Sequence, residues 1–253
     1  MKATSPAAIV AALTLALGLS PMTTAQSAEL RILAGGGIAG PLNELVPQFE
    51  RTAGHKLVIV YDATPGLIKR TQSEPFDLAV APREVYADAA AKAKFAPGPD
   101  VTIARAGFGV AVRAGAAKPD IGTPDKLKAA LLNAKSVAVL PASAAGAQVT
   151  KMFERLGIAD EMKAKSKVQT GPAAIPQAVA SGDAELGLFL INVLMAPGVD
   201  IAGPFPPELQ QELVYLAAVP AGSKEPAAAK AIIDFLRTPA AAGVIKAKGM
   251  TPG

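Results

Sequence analysis

Residues 29–54, ELRILAGGGIAGPLNELVPQFERTAG, contain the pattern from which the fold follows. A short apolar run, residues 30–34, breaks on Gly35, Gly36 and Gly37, and a helical pattern begins near Pro41, with Leu42, Leu45, Val46 and Phe49 on one face. A strand, a tight glycine turn and a helix N-terminus together offer unpaired backbone N–H groups, an arrangement suited to a small anion.

The stretch follows directly on a segment with the features of a secretory leader, residues 1–28. Lys2 supplies the positive charge, residues 7–19 form an apolar run broken only by Thr14 and Gly18, and residues 23–28 provide small side chains for cleavage. The run is shorter than the roughly 20 residues a membrane span needs, so stable membrane insertion is not expected. About 225 residues remain, enough for one large domain or two lobes with real cores. The expected compartment is the periplasm.

The chain has no cysteine, which excludes disulfides, thiolate metal sites, a cysteine nucleophile and a lipid anchor. His55 is the sole histidine, so a transition-metal site would need carboxylates alone; no metal and no cofactor are expected. The 25 basic and 21 acidic residues give a net charge of +4, and losing Lys2 with the leader leaves about +3. The basic residues are dispersed with no interleaved aromatics, and nucleic acid is not an expected partner. The turn GGGIAGP is not read as a dinucleotide fingerprint, because Pro41 stands where the helix of that motif enters.

Beyond residue 54 the apolar runs recur at a βαβ rhythm. Strands are expected at residues 56–61 (KLVIVY) and 76–81 (FDLAVA), with a helix between them opening at Thr64 and Pro65. Residues 103–112 (IARAGFGVAV) form a long strand, after which the rhythm restarts: a helix from Thr123, a strand at 137–140, and a small-residue loop at 141–146 leading into a helix that ends at Leu156. A helix at 173–180, a buried strand at 184–191 (AELGLFLI), strands at 200–203 and 213–219, and two closing helices complete the chain. This predicts an α/β protein of two lobes, each a mixed sheet flanked by helices. Residues 29–106 and 218–253 form the first lobe and 107–217 the second, with residues 103–112 and 213–219 crossing between them as a hinge. Hinge closure around a ligand is a known behaviour of such architectures.

Three helix N-termini are candidates for the cleft: the one after Gly37, the one at Thr64, and the one after Ala144–Ala145–Gly146. Asn192, just past the buried strand, is placed either to cap a helix or to hydrogen-bond a ligand. Asp62 follows the second strand and is read as a cap for the next helix. Ser143 lies near a helix start with no base placed to activate it. Asp62 and Glu185 are the only candidates for acid–base work.

With LRILAGGGIAGPLNELVPQFERTAG, FDLAVAP, SGDAELGLFLIN and the closing AAAGVIKAKGM in this order, the chain resembles the periplasmic substrate-binding proteins of molybdate-type ABC importers. The resemblance spans the mature chain and implies the two-lobed type II binding-protein fold. In that family an oxyanion is held by hydroxyls and backbone N–H groups. Carried over, the first serine position falls on Gly37, the second hydroxyl on Thr64, the backbone donors on Ala145 and Ile175, and the tyrosine on Leu190. Gly36, Gly37, Thr64, Ala145, Ile175, Leu190 and Asn192 are thus the expected ligand-binding residues, although the hydroxyls at 37 and 190 are gone. The implied function is capture of a small oxyanion of the molybdate or tungstate kind, or of a small organic anion, by a monomer that delivers it to an ABC transporter permease. It is expected to catalyse nothing. The alternative is a periplasmic, dehydratase-like enzyme on the same fold.

Overall fold

The structure, a computed structural model, describes residues 28–98 and 101–253. The expected leader, Ala28 apart, lies outside the described residues. The first lobe opens with β1 (Glu29–Gly35), α1 (Ala39–Ala53), β2 (Lys56–Asp62), α2 (Thr64–Ser73), β3 (Leu78–Pro82) and the short α3 (Arg83–Ala87) and α4 (Ala89–Lys92). The long β4 (Val101–Arg113) leads out of it into α5 (Pro124–Asn133), β5 (Val137–Val139), α6 (Ala144–Leu156), α7 (Ala159–Lys165) and β6 (Ser166–Val168). Then come α8 (Ala174–Ser181), β7 (Leu186–Leu190), α9 (Ile191–Leu194) and β8 (Val199–Pro204). The chain closes with β9 (Glu212–Ala218), α10 (Pro226–Leu236), α11 (Pro239–Ala247) and β10 (Thr251–Pro252).

β1 lies parallel to both β2 and β3, the pairing expected of βαβ units. α1 covers this sheet with Leu42, Leu45 and Phe49, the face its apolar spacing predicts, and ends on Gly54 in the left-handed conformation (φ 70°). β3 and β7 are buried throughout, which is why they read as continuous apolar runs without alternation.

The two-lobed α/β architecture expected from the sequence is present, and β4 is its spine. Residues 101–107 pair with β9 in the first sheet, and residues 108–113 pair with β7 and β8 in the second. Beyond β7 the second sheet continues in parallel through β5 to β6. One strand therefore belongs to both lobes.

The return crossing differs from expectation. β9 pairs with β3 and with β4 in the first sheet from its first residues, Glu212 lying opposite Gly107. Residues 212–217 thus sit with the first lobe, and the chain crosses back through residues 205–211 rather than within a strand. That segment is fastened to the outgoing crossing: Gln210 Oε1 accepts from Phe108 N at 2.8 Å, and Gln210 Nε2 donates to Phe108 O at 2.9 Å. Periodicity cannot show which sheet an isolated apolar strand joins, because the same run satisfies either.

Candidate functional site

The glycine turn is a short 3₁₀ turn, Gly36–Ile38, leading directly into α1. None of its glycines has a positive φ, so backbone conformation is not what requires them. Close approach is. A Cβ on Gly35 would lie 2.9 Å from Tyr215 Cε1 and 3.0 Å from Pro82 Cδ. One on Gly36 would meet Pro172 at 3.1 Å, and one on Gly37 would stand 2.1 Å from the Tyr215 hydroxyl and 2.9 Å from Leu190 Cδ1. The turn is thus roofed by side chains from β9, from the end of β7 and from the loop before α8.

Two hydrogen bonds join the lobes across it. Thr64 Oγ1 accepts from Ala144 N at 3.1 Å, and Asn192 Nδ2 donates to Gly37 O at 2.7 Å. Thr64 therefore does not cap its own helix: α2 has no side-chain cap, and the hydroxyl is turned toward the other lobe. Asn192 is likewise drawn across the cleft, its Oδ1 buried without a partner. Ser143 caps α6 by accepting from Gly146 N at 2.9 Å and donates to Leu140 O at 2.9 Å, so its one hydroxyl proton is already used.

Between these contacts lies a cavity of about 20 Å³, room for about one water molecule. Gly36, Gly37, Thr64 and Ala145 line it, together with Phe189, Pro172, Leu213 and Tyr215. No acceptor for Ala145 N is found among the described residues, which leaves it available at the N-terminus of α6. Leu190 reaches the site through Gly37. Ile175 does not: its N–H is directed to Pro172 O at 3.2 Å and it does not border the cavity. A hydrogen bond that close in the chain uses up the donor the family pattern would require.

Of the carboxylates, Asp62 borders the cavity. Its Oδ1 accepts from Ala63 N and its Oδ2 from Arg70 Nε, both at 2.8 Å. Arg70 also pairs with Glu74, which pairs with Arg31, so Asp62 ends a chain of alternating charges along the first lobe. Glu185 is remote, accepting from Lys135 N at 2.8 Å beside a groove of about 700 Å³ at the other end of β4. His55 accepts from Ala28 N and stacks on Phe49. No lysine, arginine or histidine lines the cavity, and no cluster of three metal-ligating side chains occurs among the described residues. The groups this wall offers are hydroxyls, amide N–H groups and helix ends rather than counter-charges.

Sequence reasoning missed Tyr215. It stands on β9 opposite Pro82 and Ala104, and only 1 % of it is exposed. Its hydroxyl has no hydrogen-bond partner among the described residues. Burial, and secondarily the charge of Glu84, push its phenol above the ordinary value and keep it protonated. In sequence it is one aromatic residue in an apolar strand, LVYLAAV, and nothing local marks it.

The family described as bacterial extracellular solute-binding proteins matches residues 30–251. Aconitate isomerase from Pseudomonas sp. is 32 % identical over 97 % of this chain and 94 % of its own length. The molybdate-binding protein ModA of Azotobacter vinelandii is 28 % identical over 94 % of this chain and 96 % of its own. In structure, the periplasmic molybdate-binding protein of Azotobacter vinelandii superimposes with a TM-score of 0.74 at 21 % identity, covering 88 % of this chain and 99 % of that one. The recognition of a ModA-type solute-binding protein is borne out. The expectation that nothing is catalysed is overturned, because a relative matching nearly end to end is named as an enzyme. No described helix is long and apolar enough to cross a membrane.

Proposed function

We propose that this chain, which belongs to the bacterial extracellular solute-binding proteins, takes a small unsaturated polycarboxylate between its lobes and isomerises it, as an enzyme of the aconitate isomerase type. The observation that carries this is the 32 % identity to that isomerase over nearly the whole of both chains. The cleft supports it. Where the molybdate-type pattern implies hydroxyls this wall has Gly37 and Leu190, with Phe189 and Leu213 nearby, a surface for a carbon skeleton as much as for oxygens. Thr64 and the Ala145 N–H are the donors for its carboxylates.

The reaction needs neither redox chemistry nor a leaving group. A proton leaves the methylene carbon next to the double bond, the double bond moves along the three-carbon unit, and a proton is returned at its far end. Asp62, the carboxylate on the cavity wall, serves as the proton acceptor. A cavity of about 20 Å³ holds no tricarboxylate, so substrate enters only when the Thr64–Ala144 and Asn192–Gly37 bonds part and the lobes open about the β4 crossing. The leader expected at residues 1–28 supports a periplasmic location for this activity.

A second reading, capture of an oxyanion for an ABC transporter permease, is favoured by the 28 % identity to the molybdate binder. One experiment separates the two. The purified chain is incubated with trans-aconitate and the cis and trans forms are resolved by chromatography. In parallel, melting temperatures are recorded with trans-aconitate, its saturated analogue tricarballylate, molybdate and tungstate. Turnover by the wild type, lost in Asp62→Asn with tricarballylate binding retained, supports the isomerase. Shifts with molybdate and tungstate alone, and no turnover, support the importer.

A further inference from the structure

We propose that the Tyr215 hydroxyl is a second side-chain donor of this cleft beside Thr64, hydrogen-bonding an anionic oxygen of the ligand from the place where a hydroxyl on residue 37 would stand. The inference rests on the interlobe cavity being the ligand site.

The path of the side chain shows how it gets there. β9 sits between β3 and β4, so Tyr215 projects beside Pro82. Its ring crosses Gly35, with Cε1 2.9 Å from where that residue's Cβ would be, and its hydroxyl arrives 2.1 Å from the Cβ position of Gly37. Neither strand nor turn could carry a larger residue at 35 or 37 without displacing this ring. The absence of a side chain at 37 and the presence of the phenol from β9 are two sides of one close approach.

Tyr215 lines the cavity, and its hydroxyl has no hydrogen-bond partner among the described residues. Buried polar groups are nearly always hydrogen-bonded, and a phenol with 1 % exposure and no acceptor among the described residues is an exception that calls for one. No group on the cavity wall bonds it: Thr64 Oγ1 accepts from Ala144 N, and Ser143 Oγ from Gly146 N. An acceptor can come from what occupies the cavity, and a neutral donor in a wall without cations suits a carboxylate or another oxyanion. Behind the ring, Glu84 has a buried oxygen with no partner, and its charge disfavours the phenolate, so the hydroxyl remains a donor.

The test is titration of wild type and Tyr215→Phe with trans-aconitate, tricarballylate and tungstate by calorimetry, with melting temperatures recorded without ligand. Tyr215→Phe is expected to bind about 10- to 100-fold more weakly, the usual cost of one hydrogen bond to a charged acceptor, with its ligand-free melting temperature unchanged or raised. The double variant Gly37→Ser with Tyr215→Phe returns a hydroxyl to the same place from the glycine turn and is expected to recover part of that loss. Binding by Tyr215→Phe as tight as wild type overturns the proposal. A wild type that takes only tungstate overturns the polycarboxylate reading alone, and Tyr215→Phe is then compared on tungstate. A wild type that binds none of the three overturns both.

Discussion

The phenol oxygen of Tyr215 lies 2.1 Å from the position a Cβ on Gly37 would occupy, although the two residues are far apart in sequence, one in the glycine turn and the other on β9. The conflict is with a nearly fully buried ring that has little room to move. Gly37→Ala is expected to cost about 1–3 kcal/mol, the usual penalty for overpacking a core. Part of that returns when Tyr215→Phe removes the hydroxyl, since the next ring atom, Cζ, is 3.4 Å away and the remaining close atom, Leu190 Cδ1 at 2.9 Å, is the end of a flexible side chain. Urea unfolding of both single variants and the double variant measures the coupling. Strictly additive effects would show that the hydroxyl is not what excludes a side chain at 37.

Thr64 and Asn192 tie the lobes together from opposite sides of the cavity. Thr64→Val keeps the shape and removes the acceptor, leaving the buried Ala144 N–H unpaired at a cost of about 1–3 kcal/mol to the closed arrangement. The combined variant Thr64→Val and Asn192→Leu is expected to have a larger radius of gyration than wild type by X-ray scattering. An unchanged scattering profile and melting temperature would mean that apolar contact alone holds the lobes.

Gln210 occupies both backbone groups of Phe108 at the point where β4 leaves the first sheet. Gln210→Ala leaves both without their side-chain partner. Amide hydrogen exchange at Phe108 is expected to quicken while exchange in the interior of β1 is unaffected, because the opening is local to the crossing. Equal acceleration in both would indicate loss of global stability instead.

The alkaline limb of stability follows from Tyr215. The phenol is neutral when protonated, and burial followed by the Glu84 charge raises its pKa above the ordinary value of 10.0. The folded chain therefore holds this proton more tightly than the unfolded chain. The contribution is complete below about pH 10 and is lost as pH rises beyond it toward the folded value. Tyr61, pushed up to about 12 by burial, acts in the same direction. Comparing denaturant midpoints at about pH 8 and about pH 11, Tyr215→Phe is expected to lose less stability than wild type over the interval. Equal losses would place the effect on other groups.

Much of the architecture was legible in the chain. The strands of the first lobe, α1 with its buried face, the long β4 and the buried β7 all follow from spacing and length, because each apolar pattern is satisfied within its own element. The short β6 was not legible: Ser166–Val168 is three residues long at the sheet edge, with Lys167 and Val168 exposed, and has no periodicity to read. At the site, Gly36, Gly37, Thr64 and Ala145 come together as expected. Ile175 does not, since its N–H is used within its own turn, and Asp62 pairs with Arg70 rather than capping α2.

The chain alone showed a cysteine-free α/β protein of the solute-binding family, with a glycine turn and two later helix starts as candidates for one cleft. Those features are local, written in residue size, spacing and turn chemistry. Only the tertiary structure decided what the glycines are for. β9 inserts between β3 and β4 and carries Tyr215 across Gly35 to Gly37, so a turn that reads as an open cradle for an anion is also the bed of a buried phenol. Strand order is set by which apolar faces pack together across the whole chain, and no window of sequence around residue 37 or residue 215 contains that information.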